Sequence, residues 1–242
     1  MGRFDAPRDV RVPAFAAIPS CMGRTMQTLK LRPMTSVGDG FSWPFQDPQW
    51  FSKIVLQGLI SIIPIVGWIA LVGWLVLTID HYRTGRRDLP PAGFHLERGL
   101  VLFVVYAVYA IVFAIPGAIV QGSGMANDNA GTQALGNLVS LALSALLAFL
   151  APSIILHTYR SGFNGGFDVS GIWQMATSNS TNTIVAALVI FAAGFIGALG
   201  FALCCIGALF TIPYGAAITA GAVAWYDHVM SGPAPATTSG AG

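Results

Sequence analysis

The chain has 242 residues, 55% of them hydrophobic and only 9% charged, with 12 Lys and Arg against 10 Asp and Glu for a net charge of +2. A soluble domain carries about 25% charged residues, so this composition, with a mean hydropathy of +0.68, excludes a water-soluble globule and indicates a polytopic membrane protein. The near-balanced charge, with no basic stripe interleaved with aromatics, gives no nucleic-acid signal.

Residues 1–46 read as an extended, basic, Pro-containing arm. It holds Arg3, Arg8, Arg11, Arg24, Lys30 and Arg32, and five prolines interrupt any sustained 3.6 or 2.0 period. No apolar stretch follows a charged start, so no cleavable signal peptide is expected. Cys21, Cys204 and Cys205 have neither the number nor the spacing of a disulfide framework or a zinc site. The vicinal pair reads as two small core residues.

The transmembrane domain spans residues 47–230 and begins with the uncharged run Ile54–Ile79, which contains Pro64-Ile65-Val66-Gly67 near its middle. One kinked helix or a tight hairpin both fit this pattern. Leu100–Val120 and Leu135–Leu156 are the next two spans, separated by a Gly/Asn/Ser-rich stretch at Gln121–Gln133. From Val169 to Tyr226 there is no charged residue at all, and as one helix this run would be about 87 Å long. It must turn, and Cys204–Gly207 divides it. Residues 231–242 are a low-complexity tail.

Charge placement selects among these parses. Short loops rich in Lys and Arg stay on the cytoplasmic side. A hairpin turning at Pro64 and Gly67 puts Lys53 on the same side as Arg83, Arg86, Arg87 and Arg98, and Arg160 returns there after the second hairpin. The expected architecture is therefore all-α: a polytopic bundle of about six membrane helices in three hairpins, with both termini cytoplasmic, in the inner (cytoplasmic) membrane. The first hairpin is short or re-entrant, because Phe51–Ile63 rises only about 20 Å. The arginines read as topology determinants and lipid headgroup contacts. Val169, Ile172, Trp173 and Ala176 share one face of a short interfacial helix over Val169–Ser178.

The spans contain no ionisable residue of the kind that marks ion pathways. Asp80-His81 and Asp227-His228 lie at helix ends and would meet only if the first and third hairpins packed together; capping and anchoring roles suit them better. His157 reads as an interface residue. Gln57, Ser61, Thr78, Ser140, Ser144, Thr211 and Thr219 suit interhelical hydrogen bonds. Small residues four apart, Ala193 with Gly197, Gly200 with Cys204 and Ala217 with Gly221, permit close helix packing, within the third hairpin or against a partner. Gly194, Gly197 and Gly200 offer an alternative, lining a cavity. No phosphate loop, HExxH or catalytic triad occurs, so no catalytic residue and no metal site is assigned.

Trp50 leading into Leu59-Ile60-Ser61-Ile62-Ile63-Pro64-Ile65-Val66-Gly67, the basic exit at 83–87, Leu89-Pro90-Pro91, Pro152 with Tyr159, Gly162-Phe163, and Trp173 with Asn179 together resemble the membrane family called domain of unknown function 4013. The resemblance covers about residues 47–228 and excludes the arm. It implies a helical membrane body and, having no established activity behind it, no catalytic residue. Two functions are consistent with these features. One is a non-catalytic integral membrane subunit that scaffolds a larger complex through the arm and the small-residue faces, with other membrane subunits and bound lipids as partners and no cofactor. The other is a transporter or channel for a small neutral or lipid-like solute.

Overall fold

The computed structural model describes residues 38–86, 88–202 and 204–232, with side chains at 201–206 outside the description. Arg3, Arg8, Arg11, Arg24, Lys30, Arg32, Arg87 and the side chain of Cys204 therefore lie outside the described residues. The described residues are helical and contain no strand. The elements are α1 (Asp39–Ser42), a 3-10 turn (Trp43–Gln46), α2 (Trp50–Ser61), α3 (Val66–Arg83), α4 (Leu96–Ala126), α5 (Ala130–Gly166), α6 (Val169–Ser178), α7 (Ser180–Ala202) and α8 (Cys204–Ser231).

Four of these helices, Leu96–Ala126, Ala130–Gly166, Ser180–Gly200 and Gly207–Ser231, are long and apolar enough to cross a membrane, rather than six. The shortfall is in the first pair. At 12 residues α2 rises only about 18 Å, and the last turn of the 18-residue α3 carries Asp80, His81 and Arg83. The chain breaks sharply between them. Ile65 has φ +63° and ψ −60°, and the Val66 amide donates to the Pro64 carbonyl at 2.7 Å. That is a γ-turn, a strained geometry for a β-branched residue.

The α4–α5 pair is built on close backbone approach. A Cβ on Gly117 would overlap Ser140, and those on Gly124 and Gly136 would crowd Gln133 and Gln121. Gln121 also donates to Asn137 at 2.7 Å across the pair. Asn129 caps α5 by accepting from the Thr132 amide. Near its far end α5 breaks at Gly162, whose φ of +65° suits a residue without a Cβ.

In the α7–α8 pair, Gly200 fits against Ala208 and Thr211, Gly215 against the Ala193 carbonyl, and Thr211 donates to the Gly197 carbonyl at 3.2 Å. Ala193 and Ala217 are buried. Ala193, Gly200, Gly215 and Ala217 are thus occupied inside the bundle, whereas a Cβ on Gly194 would meet nothing within 4 Å. Gly221 faces a different neighbour: it lies against Gly40 and the Tyr82 ring.

The most apolar stretch of α8 is 56% buried, against 17% for α4, so α8 is the central helix and α4 a flank. The core gathers Trp74, Ile79, Leu156, Ile218 and Tyr226. Tyr226 ties four helices together. Its hydroxyl shares hydrogen bonds with Ser153 of α5 (3.1 Å) and Thr183 of α7 (2.9 Å) and donates to the Met175 carbonyl of α6. On α6 itself, Ile172 and Ala176 are buried, while Val169 and Trp173 stand exposed beside them. Asp168 caps that helix. Its pKa is held below the ordinary carboxylate value by the Gly171 amide and the Ser170 hydroxyl.

Residues 39–46, which composition places in the arm, are ordered against α8 and α3. The Trp43 ring stacks on Tyr82 at 3.8 Å, and Tyr214 donates to the Phe41 carbonyl at 2.9 Å.

Candidate functional site

Three features stand out: a loop inserted between α2 and α3, an ionic cluster, and an apolar chamber where α3, α4 and α5 meet α7 and α8.

The loop between α3 and α4 turns back into the bundle. The His81 ring sits 2.7 Å from the Asp88 carbonyl, Trp74 donates to the Pro90 carbonyl at 3.2 Å, and His95 lies against Gly73. Positions 88 to 95 thus descend alongside α3 from residue 81 to residue 73. On its other side the loop meets α2, where Gln57 accepts from the Gly93 amide at 3.0 Å. Buried irregular backbone needs partners for its polar groups. Pro90 and Pro91 have no N–H to satisfy, and the buried Gln57 and Trp74 take much of the remainder.

Asp47 pins the loop entrance. This buried carboxylate accepts from Lys53 at 2.7 Å, from the Leu89 amide at 2.8 Å and from the Gln49 amide at 2.8 Å, and Lys53 also donates to the Leu89 carbonyl. Burial pushes the Asp47 pKa up, but Lys53 and the two amides outweigh it, and the net direction is down.

At the basic end of the bundle, helices α3 and α8 do pack together, which brings Asp80 and Asp227 into one neighbourhood. The two acids are met by arginines. Asp227, nearly buried, takes Arg83 at 2.7 Å and the Arg160 Nε at 2.9 Å, with a second contact from the Arg160 Nη2. Asp80 pairs with Arg98 at 2.8 Å and accepts from the Tyr159 hydroxyl, and the Arg83 guanidinium lies 5.1 Å from the centre of the Tyr159 ring. Among the described residues no three His, Cys, Asp or Glu side chains gather as metal ligands. The His157 ring is engaged with the Gly165 carbonyl at 3.0 Å. Lys53, Arg83, Arg98 and Arg160, expected at lipid headgroups, each hold a carboxylate of the fold, and Arg86 lies 3.5 Å from Asp88 at the surface.

The chamber has a volume of about 790 Å³, within the range of small-molecule sites. Its walls are almost wholly apolar, with Leu71, Leu75, Phe103, Ile155 and Ile190 among them. Gly194 and Gly197 of α7 line it together with Gly215 of α8, whereas Gly200 is used for helix packing. Trp68, Phe191 and Phe195 also line it and are 46%, 67% and 59% exposed, so it opens sideways on the apolar flank of the bundle.

A family model described as protein of unknown function (DUF4013) matches residues 56–206, more than half of the chain. The chain belongs to the DUF4013 family. The match takes in α3 to α7, and hence most of the chamber wall. It excludes Asp47, Lys53 and the α8 residues Gly215 and Asp227, which complete the sites just described. Neither a curated protein nor a solved structure matches the chain.

Sequence reasoning missed the inserted loop, the Asp47 tether and the Tyr226 hub. The first two had a signal, a double proline after α3 and an acid six residues before a lysine. Tyr226 had none, because its partners come from three distant segments. Among the polar residues expected to bond between helices, Thr211 does so, whereas Ser61, Thr78 and Thr219 donate to carbonyls of their own helices.

Proposed function

We propose that this protein is a non-catalytic integral protein of the cytoplasmic membrane that holds a lipid-like apolar solute in the chamber. The observation that carries this reading is the chamber itself: a lined, laterally open space on the apolar flank, from which a molecule dissolved in the bilayer enters without meeting water. In the proposed topology, α2 and α3 form a short first hairpin beside the four long helices, and both termini lie on the side of Arg83 and Arg160. Cysteines placed at exposed positions 86 and 128, in a background free of native cysteine, should label from opposite sides. Labelling of both from one side would defeat this layout.

The solute reading is tested by photo-crosslinking a diazirine fatty acid in native membranes. Crosslinks should concentrate on chamber residues and disappear in Gly194→Leu. A Cβ at Gly194 meets nothing within 4 Å, so the leucine enters the empty space without displacing a helix. Crosslinks spread evenly over the lipid-facing helices, and unchanged by Gly194→Leu, would defeat the reading.

A second reading, a subunit that scaffolds a larger membrane complex, is favoured by the breadth of the uncovered apolar flank, where Ile119, Leu138 and Leu141 are each more than 60% exposed. It rests further on the arm, residues 1–37 of which lie outside the described residues. Co-purification of stoichiometric partners in mild detergent supports it, and elution of the lone 25.4 kDa chain counts against it.

A further inference from the structure

The chamber does not end in apolar residues. Toward the basic end of the bundle, the next turns of three helices line a second cavity of about 560 Å³. On α3 the wall passes from Leu75 to Val76 and Asp80, and on α5 from Ile155 to Thr158 and Tyr159. On α4, which runs the other way, it passes from Phe103 back to Arg98 and Glu97. Leu102 lines both spaces, so they are neighbours across one side chain.

Two observations in the second cavity point to a polar ligand group. Thr158 lines it, is 3% exposed, and its hydroxyl has no hydrogen-bond partner. Helical threonines ordinarily donate to the carbonyl four residues back, as Thr78, Thr211 and Thr219 do here. The second observation is the charge pattern. Asp227 is shared by Arg83 and Arg160, which leaves one guanidinium charge in excess, whereas the Asp80–Arg98 pair is balanced. Glu97 lines the same cavity, is exposed, and makes no ion pair among the described residues. The wall thus offers one surplus positive charge, one surplus negative charge and, just beneath its surface, one buried hydroxyl without a partner.

We infer that the two cavities form one site for a phospholipid whose headgroup carries both a phosphate and a primary amine. The phosphate lies toward Arg83 and Arg160 and accepts from the Thr158 hydroxyl. The ammonium faces Glu97, and an acyl chain passes Leu102 into the chamber. A headgroup with phosphate alone would leave Glu97 facing only water and the first turn of α4, and a fatty acid would in addition leave the depth of the polar cavity unmatched. This inference rests on the chamber reading above and specifies its ligand.

The test uses the full-length protein reconstituted in membranes with equal amounts of phosphatidylethanolamine and phosphatidylglycerol, then re-extracted in mild detergent, with retained lipid measured by mass spectrometry. Phosphatidylethanolamine should be enriched over phosphatidylglycerol. Thr158→Val should weaken its retention about tenfold, as for one hydrogen bond to a charged group. Glu97→Gln should reduce the preference about threefold, as for one exposed ion pair. Neither variant removes a partner from another residue, so both should match the parent in thermal unfolding without lipid. Gly194→Leu should lose both lipids. If Gly194→Leu releases lipid but the two headgroup variants change nothing, or the two lipids are retained equally, the headgroup assignment is overturned and the chamber reading stands. Lipid retention unaffected by Gly194→Leu overturns both.

Discussion

Asp47→Asn probes the tether that holds the inserted loop. The carboxylate accepts three hydrogen bonds, from Lys53, Leu89 and Gln49. Asparagine retains one acceptor oxygen and turns an NH₂ group toward donors, and it removes the charge opposite Lys53. Breaking a buried ion pair from one side costs about 3–5 kcal/mol. The Lys53 side chain is 19% exposed, and screening by water favours the lower end, about 3 kcal/mol. For a chain of this length that lowers the unfolding midpoint by about 6–12 °C.

Lys53→Met should cost less, because Asp47 keeps both amide donors, and the double variant should fall short of additivity by about 1–2 kcal/mol. The pKa direction sets the pH window. A lowered carboxylate pKa contributes stability that is present above the unfolded-state value and lost as pH falls through the folded-state value. The penalty of Asp47→Asn should therefore be constant from about pH 5 to about pH 8 and shrink only below about pH 3.9. Thermal unfolding of the full chain in mild detergent measures the midpoint, and amide exchange over residues 88–95 locates the loss. An unchanged midpoint, or strict additivity with Lys53→Met, would refute the tether.

Gly99→Ala should destabilise by about 1–3 kcal/mol, since its Cβ would overlap the Ile69 carbonyl and lie 2.6 Å from the Gly73 amide nitrogen. Gly122→Ala on the same helix, where a Cβ meets nothing within 4 Å, is the matched control and should be neutral or stabilising. Tyr226→Phe strips Ser153 of its hydrogen-bond partner and should cost about 1–2 kcal/mol in the same unfolding assay. Ile65→Gly relieves the positive φ while giving up a side chain that is 67% exposed, and a gain of about 1 kcal/mol is expected. A loss of stability there would refute the strain assigned to Ile65.

The helices were largely legible in the sequence because each long one contains an uncharged run, but two breaks were misplaced. The expected Gln121–Gln133 loop is helical except between Ala126 and Ala130, and α8 already starts at Cys204, so the expected Cys204–Gly207 turn lies within its first turn. Val169–Ser178 emerges as α6 at its expected bounds, with Asp168 as its cap, and the chain turns after Pro64. The role of individual residues was less legible. Gly194, Gly197 and Gly200 look equivalent along the chain, yet two line the chamber and the third packs against Thr211. That division depends on how α7 is rotated against α8 and on what fills the far side, which no window of α7 encodes.

Composition and run length determined by themselves that the chain is helical and apolar enough for a membrane, since both follow from local hydropathy and the cost of burying charge. The tertiary structure alone decided which charges meet. Asp227 finds Arg83 and Arg160 across 144 and 67 positions of chain, and the loop after α3 finds Gln57 on the opposite side of its own entry. It also opened the chamber, because a cavity is the place where packing among five helices fails to close, and that is a property of their joint geometry. Among the described residues, Lys53, Arg83, Arg98 and Arg160 proved to be fastenings that each hold a carboxylate of the fold, the last three beside the space where a lipid is proposed to bind.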